Sequence, residues 1–219
     1  MPDIFDEVDE DLRAERAQLL LKKYGWVIAV GVLVIVGGVA GWQGWQWWQA
    51  KQDRIAATAY LAAMRTADGV RPGQPVPPEA IIAFDRVARS APLGYRTLAR
   101  LREAGLKADA GDLAGAVRGW DEVASDRSVD PLLRDLATLL AVQRQVDNGD
   151  PGALEARLKP LEAPDNAWHS LAEETQALLE LRQGKTDQAR ESLRRLAADV
   201  TAPEGVRRRA SGLLEQLGG

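Results

Sequence analysis

The stretch KADAGDLAGAVRGWDEVA, residues 107–124, decides how this chain is read. Its Gly111-Asp112 step is a turn signal, because glycine takes the left-handed conformation that ends one helix and an aspartate side chain caps the next. Beyond the turn, Leu113, Ala116, Val117, Trp120, Val123 and Ala124 recur at the spacing of one helical face. Two helices joined this way cannot bury their apolar faces alone, so the search moves outward for further copies.

Two more glycine turns lie downstream, Gly149-Asp150 and Gly184-Lys185, at spacings of 38 and 35 residues. Their neighbours repeat as well. Seven residues before the three glycines stand Ala104, Val142 and Ala177, and five after stand Ala116, Leu154 and Ala189. Nine after stand Trp120, Leu158 and Leu193, and twelve after stand Val123, Leu161 and Leu196. Small residues recur where two helices must cross closely, and large ones where the second helix fills the groove towards the next pair. The unit is a helix, a turn and a helix, read three times.

Other local signals agree. Leu171, Thr175, Leu178 and Leu179 form one helical stripe, and Ala189, Leu193, Leu196 and Ala197 another. Asp130-Pro131 starts a helix, as does Thr201-x-x-Glu204, read as a capping box. A fourth unit is expected upstream: a helix over residues 52–66, a lengthened turn GVRPGQPVPP over 69–78, and a second helix over 79–89. Val206, Ala210, Leu213, Leu214 and Leu217 predict a last amphipathic helix that covers the open end. No segment reads as a strand, so the fold class is all-α, an α-α superhelix of repeated helix pairs over residues 51–219.

Ahead of the repeats runs GWVIAVGVLVIVGGVAGWQGWQWWQAK, residues 25–51. Residues 24–50 carry no charge, and 26–42 are 17 consecutive apolar residues, nine of them Val, Ile or Leu. Nine such residues contribute on the order of −3 to −5 kcal/mol towards insertion, and extension through Trp48 reaches the about 20 residues a bilayer core demands. Residues 24–50 are therefore expected to span a membrane once. Five of the chain's seven tryptophans stand in this segment. Trp42, Trp45, Trp47 and Trp48 mark one interface and Tyr24 with Trp26 the other, since an indole is apolar but its N–H needs a partner. Bulky tryptophans stand where a signal-peptide cleavage site would need small residues, so the segment is expected to stay. Gly37 and Gly41 make a GxxxG, a spacing that admits close helix–helix contact in lipid. The preceding tail, residues 1–23, holds seven acids, most of them in its first half, and four bases in its second, an order that suits a helix macrodipole.

Composition narrows the chemistry. The net charge is −4 and aromatic residues are scarce outside the apolar segment, which argues against nucleic acid as a partner. There is no cysteine, which removes disulfides, thiolate metal sites and cysteine nucleophiles. The single histidine, His169, adjoins Trp168 at a helix start, and no HExxH, GxSxG, Walker or GxGxxG motif occurs. Asp121 with Glu122, and Glu173 with Glu174, read as solvated neighbours on helix surfaces, and Arg207, Arg208 and Arg209 as a solvated basic face. No catalysis, cofactor, metal or small-molecule substrate is expected. Binding to protein partners is.

These units resemble the tetratricopeptide repeat, without the early Trp, the Gly and the Tyr of its motif. The whole layout, with LLLKKYGW at 19–26, KADAGDLAGAVRGWDEVA at 107–124 and LELRQGKTDQARESLRRLA at 179–197, is similar to the YfgM-like family of ancillary Sec translocon subunits, single-span proteins of the bacterial inner membrane. The resemblance implies a cytoplasmic tail over 1–23, a periplasmic repeat domain, and an adaptor role between the translocon and periplasmic chaperones. Arg13, Arg16, Lys22 and Lys23 stand before the span against Lys51, Arg54 and Arg65 after it, a narrow margin, and Lys22 with Lys23 directly at the boundary agrees with that orientation. Two other roles share the layout: an envelope assembly scaffold for cell division or cytochrome maturation, and a regulatory anchor acting through the cytosolic tail.

Overall fold

The computed structural model describes residues 4–68 and 75–218, and 81% of the chain is helical, with no strand among the described residues. The chain divides into two compact units, Met1–Gln52 and Asp53–Gly219. The first consists of the greater part of α1 (Ile4–Ala67). The second holds the last turns of α1, then α2 (Pro78–Ser90), α3 (Leu93–Asp109), α4 (Leu113–Ser125), α5 (Pro131–Gln143), α6 (Pro151–Leu158), a 3₁₀ turn (Lys159–Glu162), α7 (His169–Arg182), α8 (Thr186–Ala198) and α9 (Glu204–Gln216). The lengthened turn expected at 69–78 lies mostly outside the described residues.

In the second unit α2 to α6 each pack on the next helix, α7 packs on α8 and α8 on α9, and α7 also touches α5 and α9. That packing divides the interior into four successive cores, each built from one helix pair and the first helix of the next. Ala56 and Ala63 of α1 meet Phe84 and Val87 of α2 and Ala99 of α3. Ala104 of α3 meets Ala116, Trp120 and Val123 of α4 and Ala137 of α5. Val142 of α5 meets Leu154 and Leu158 of α6 and Leu179 of α7, and Ala177 of α7 meets Leu193 and Leu196 of α8 and Val206 of α9. All twelve aligned repeat positions are buried, none more than 2% exposed. The alternation of alanine with leucine or tryptophan works because a small residue on one helix admits the large one facing it.

Helix ends follow from single residues. Gly111 and Gly184 adopt φ of 88° and 75°, and each completes a paired C-terminal closure. Asp112 N donates to Lys107 O at 2.8 Å and Gly111 N to Ala108 O at 3.0 Å, while Lys185 N donates to Glu180 O at 2.9 Å and Gly184 N to Leu181 O at 3.0 Å. Asp112, Asp130 and Asp150 accept bonds at 2.8 Å from the backbone N–H of Gly115, Leu132 and Ala153, satisfying donors that an α-helix leaves free.

Three expectations are corrected. Gly149 is not left-handed; α5 ends at Gln143 and a longer turn carries the chain to Gly149, whose N–H donates to Gln145 O at 2.7 Å. Glycine stands there for space, since a Cβ would lie 3.0 Å from both Gln145 O and Leu154 Cδ1. The capping box at Thr201 does not form. Thr201 turns back to Asp199, its Oγ1 donating to Oδ1 at 2.7 Å, and Pro203 is the residue that leads into α9. Glu174 is not solvated but buried, and Arg209, read as part of a solvated face, is its partner.

Candidate functional site: a leucine-lined groove

Three first helices of successive pairs, α5, α7 and α9, enclose a groove of about 1080 Å³. Its α7 wall is set by helical period: Leu171, Thr175 and Leu178 recur on one face, with Leu181 one turn further. The adjacent face of the same helix, Ala172 and Leu179, is buried in the core, so α7 is apolar over a wide arc and only part of that arc is covered. Leu171, Leu178 and Leu181 are half-buried, as are Leu213 and Gly212 on α9. A Cβ at Gly212 would meet nothing within 4 Å, so glycine adds depth to the groove.

Several polar groups in the groove are tied to the protein. Arg209 donates through Nε to Glu174 Oε1 and through Nη2 to Oε2, both at 2.6 Å. That hydrogen bonding, with the carboxylate charge behind it, raises the Arg209 pKa above the ordinary guanidinium value. Arg182 donates to the carbonyls of Val146 at 2.5 Å and Gly149 at 2.7 Å, joining the end of α7 to the long turn after α5. Gln143 Nε2 donates to Thr175 Oγ1 at 3.2 Å, and that hydroxyl donates to Leu171 O at 2.7 Å. Fixed polar rims around apolar floors suit a partner that contributes apolar side chains and is oriented by a few hydrogen bonds. Thr175 Oγ is committed to a backbone carbonyl, and no titratable base stands beside it in the bonds described.

The residues singled out from the sequence are placed as follows. Tyr24, Trp26, Trp42, Trp45, Trp47 and Trp48 all lie on α1 in the first unit and are solvent-exposed. The Trp45 and Trp48 rings are 5.6 Å apart, Lys51 Nζ stands 5.5 Å over Trp47, and Lys23 Nζ 5.5 Å over Tyr24. A Cβ at Gly37 or Gly41 would meet nothing within 4 Å. Trp120 is core, 1% exposed, its Nε1 donating to Leu101 O at 3.3 Å. His169 Nδ1 lies 2.7 Å from Glu162 O and Nε2 3.6 Å from Glu173. Among the described residues no group of three or more His, Cys, Asp or Glu comes together. Arg182, Glu174 and Arg209 were not singled out as groove residues by sequence reasoning. Leu178 and Leu213 carried a usable signal, since both belong to amphipathic stripes wider than a two-helix contact fills.

The comparisons with known proteins agree with this arrangement. The family model for the tetratricopeptide repeat-like domain matches residues 20–213. No curated protein and no solved structure matches the chain. Domains of this kind are typically non-enzymatic interaction scaffolds, which suggests a role in protein–protein interaction. Matched over most of its length, with its helix pairs stacked through four repeating cores, the chain belongs to the tetratricopeptide repeat-like domain family.

Proposed function

We propose that this protein is a membrane-anchored adaptor for other proteins, an ancillary subunit at the Sec translocon that links it to periplasmic chaperones. One observation carries the binding role: the leucine-lined groove of α5, α7 and α9, an apolar surface that the repeats leave uncovered. Residues 24–50 cross the inner membrane once, residues 1–23 stand in the cytoplasm, and residues 51–219 are periplasmic. Support for the span is the row of exposed apolar side chains from Val30 to Trp48, with Leu33 at 74% and Ile35 at 67% exposure, which water would not tolerate over such a length. The aromatic residues at its ends are the interface anchors, and Gly37 with Gly41 is the face for a partner helix. The translocon rests on the resemblance of the layout described above.

Purification of the full chain at native level in mild detergent, followed by mass spectrometry, tests this reading. Translocon subunits are expected with the native protein. Chaperones are expected to drop out when Leu178→Asp and Leu213→Asp are introduced, and translocon subunits when residues 26–48 are exchanged for an unrelated span. Recovery of division or maturation proteins in place of translocon subunits overturns the assignment of partner and leaves the adaptor.

A further inference from the structure

A second cleft, of about 510 Å³, lies between α2, α3 and α4 and shares no residue with the leucine groove. Its floor is made of small residues: Ala88 of α2, Ala104 of α3, and Gly115 and Gly119 of α4. A Cβ at Gly119 would stand 3.2 Å from the Ala104 Cβ, and one at Gly115 would overlap the Asp112 carboxylate. The floor is low where these small residues stand, and every other lining residue is charged.

The charges are unequally engaged. Asp85 accepts from Arg89 Nε at 2.9 Å, Glu103 lies 2.7 Å from Lys107 Nζ, and Asp112 is committed to the α4 N-terminus. Three guanidiniums, Arg96, Arg100 and Arg118, are held less tightly. Arg96 is held by Nε on Ala91 O at 3.2 Å, which fixes the group and leaves both terminal nitrogens available. Arg100 forms only a long ion pair, with Asp126 at 3.8 Å, and Arg118 forms no ion pair among the described residues. Arg96 and Arg100 share one face of α3 a single turn apart. A planar guanidinium takes a carboxylate through two parallel bonds, and an anchored one loses little side-chain freedom in doing so.

We infer that this cleft docks an extended, acidic peptide segment: the low floor admits its main chain, and Arg96, Arg100 and Arg118 receive its carboxylates. Glu103 and Glu122 stand among the bases on the same rim. A continuous anionic surface, a phosphate backbone or a lipid headgroup layer, would meet those two as like charges, whereas a peptide can place its carboxylates between them. This site stands apart from the groove proposed above and does not depend on it.

The test uses the full chain in neutral-lipid nanodiscs, titrated with a fluorescein-labelled ten-residue peptide of alternating Glu and Ala and with its Lys counterpart. The Glu peptide binds, more weakly as salt shortens the screening length, and the Lys peptide does not. Arg96→Glu with Arg118→Glu weakens binding by about tenfold or more, and Arg118→Gln alone, at an exposed position, weakens it measurably with an unchanged melting curve. Arg194→Glu with Arg208→Glu, exposed bases elsewhere, leaves binding as it was, as does Leu178→Asp in the other groove. Absence of binding, equal binding of the Lys peptide, or an equal loss in the Arg194 and Arg208 control overturns the proposal. So does capture of phosphatidylglycerol vesicles without capture of the Glu peptide.

Discussion

Glu174 on α7 and Arg209 on α9 are joined by two parallel hydrogen bonds of 2.6 Å, across 35 residues of sequence. The carboxylate side chain is 8% exposed and the arginine 55%, so an interior anion is neutralised by a cation that reaches in from the surface. Arg209→Leu leaves the anion buried and unpaired, and unfolding in urea should show a loss of about 1–3 kcal/mol. The double variant Glu174→Leu, Arg209→Leu removes the charge together with its partner and should recover most of that loss. Additive losses in the double variant would show that the pair does not act as a unit.

The repeat glycines separate into two classes. Gly111→Ala and Gly184→Ala force a side chain into the left-handed region and should each cost about 1–2 kcal/mol. Gly149→Ala should be destabilising for a different reason, the 3.0 Å approach of its Cβ to Gln145 O and Leu154 Cδ1. Gly105, inside α3, has nothing within 4 Å of a built Cβ, and Gly105→Ala should stabilise by roughly 0.5–1 kcal/mol. Thermal melts that move all four variants in one direction would contradict this division.

Trp120 fills the second core and satisfies its N–H on Leu101 O. Trp120→Ala should cost about 3–5 kcal/mol. Trp120→Phe, which keeps most of the volume and needs no partner for an indole N–H, should cost clearly less. Near-equal losses would mean that the hydrogen bond, not the volume, holds the α3–α4 pair.

Glu162 gives stability a pH dependence of defined sign. Burial, then the nearby Glu173 and Glu180 carboxylates, raise its pKa above the ordinary glutamate value, and His169 and Lys159 offset this only in part. The folded state therefore holds the proton more tightly than the unfolded state. Its favourable contribution is complete below the ordinary value of 4.5 and is lost as pH rises through the raised one. Glu162→Gln should consequently raise the melting temperature more at pH 7 than at pH 4. An equal shift at the two pH values would remove ionisation as the cause.

Two charges should defeat the proposed span. An arginine at the centre of a membrane helix costs about 2.5–3.5 kcal/mol, so Leu33→Arg with Val36→Arg outweighs the on the order of −3 to −5 kcal/mol of the nine branched residues. The variant should be released by alkaline carbonate, and the parent retained. Release of the parent as well would refute a span at 24–50.

Much of this architecture was legible because it is periodic. Ala104, Val142 and Ala177, or Trp120, Leu158 and Leu193, align without knowledge of any contact, since a repeat built from one helix pair must place the same size of residue at the same crossing. Helix starts at Asp112, Asp130 and Asp150 were legible too, because a cap acts over three residues. Gly149 and Thr201 were misjudged, since a turn's conformation depends on how much chain it must absorb and on which neighbour, here Asp199, takes the hydroxyl.

By itself the sequence determined the all-α class, the helix pairs, the apolar segment at 24–50 and the absence of cysteine chemistry, all of them local or periodic properties. Tertiary structure alone decided that Glu174 is buried against Arg209, that Leu171, Leu178 and Leu213 face one uncovered groove, and that Arg96, Arg100 and Arg118 surround a floor of glycine and alanine. Those relationships join residues up to dozens of positions apart, and only the packing of one helix pair on the next sets which of them meet.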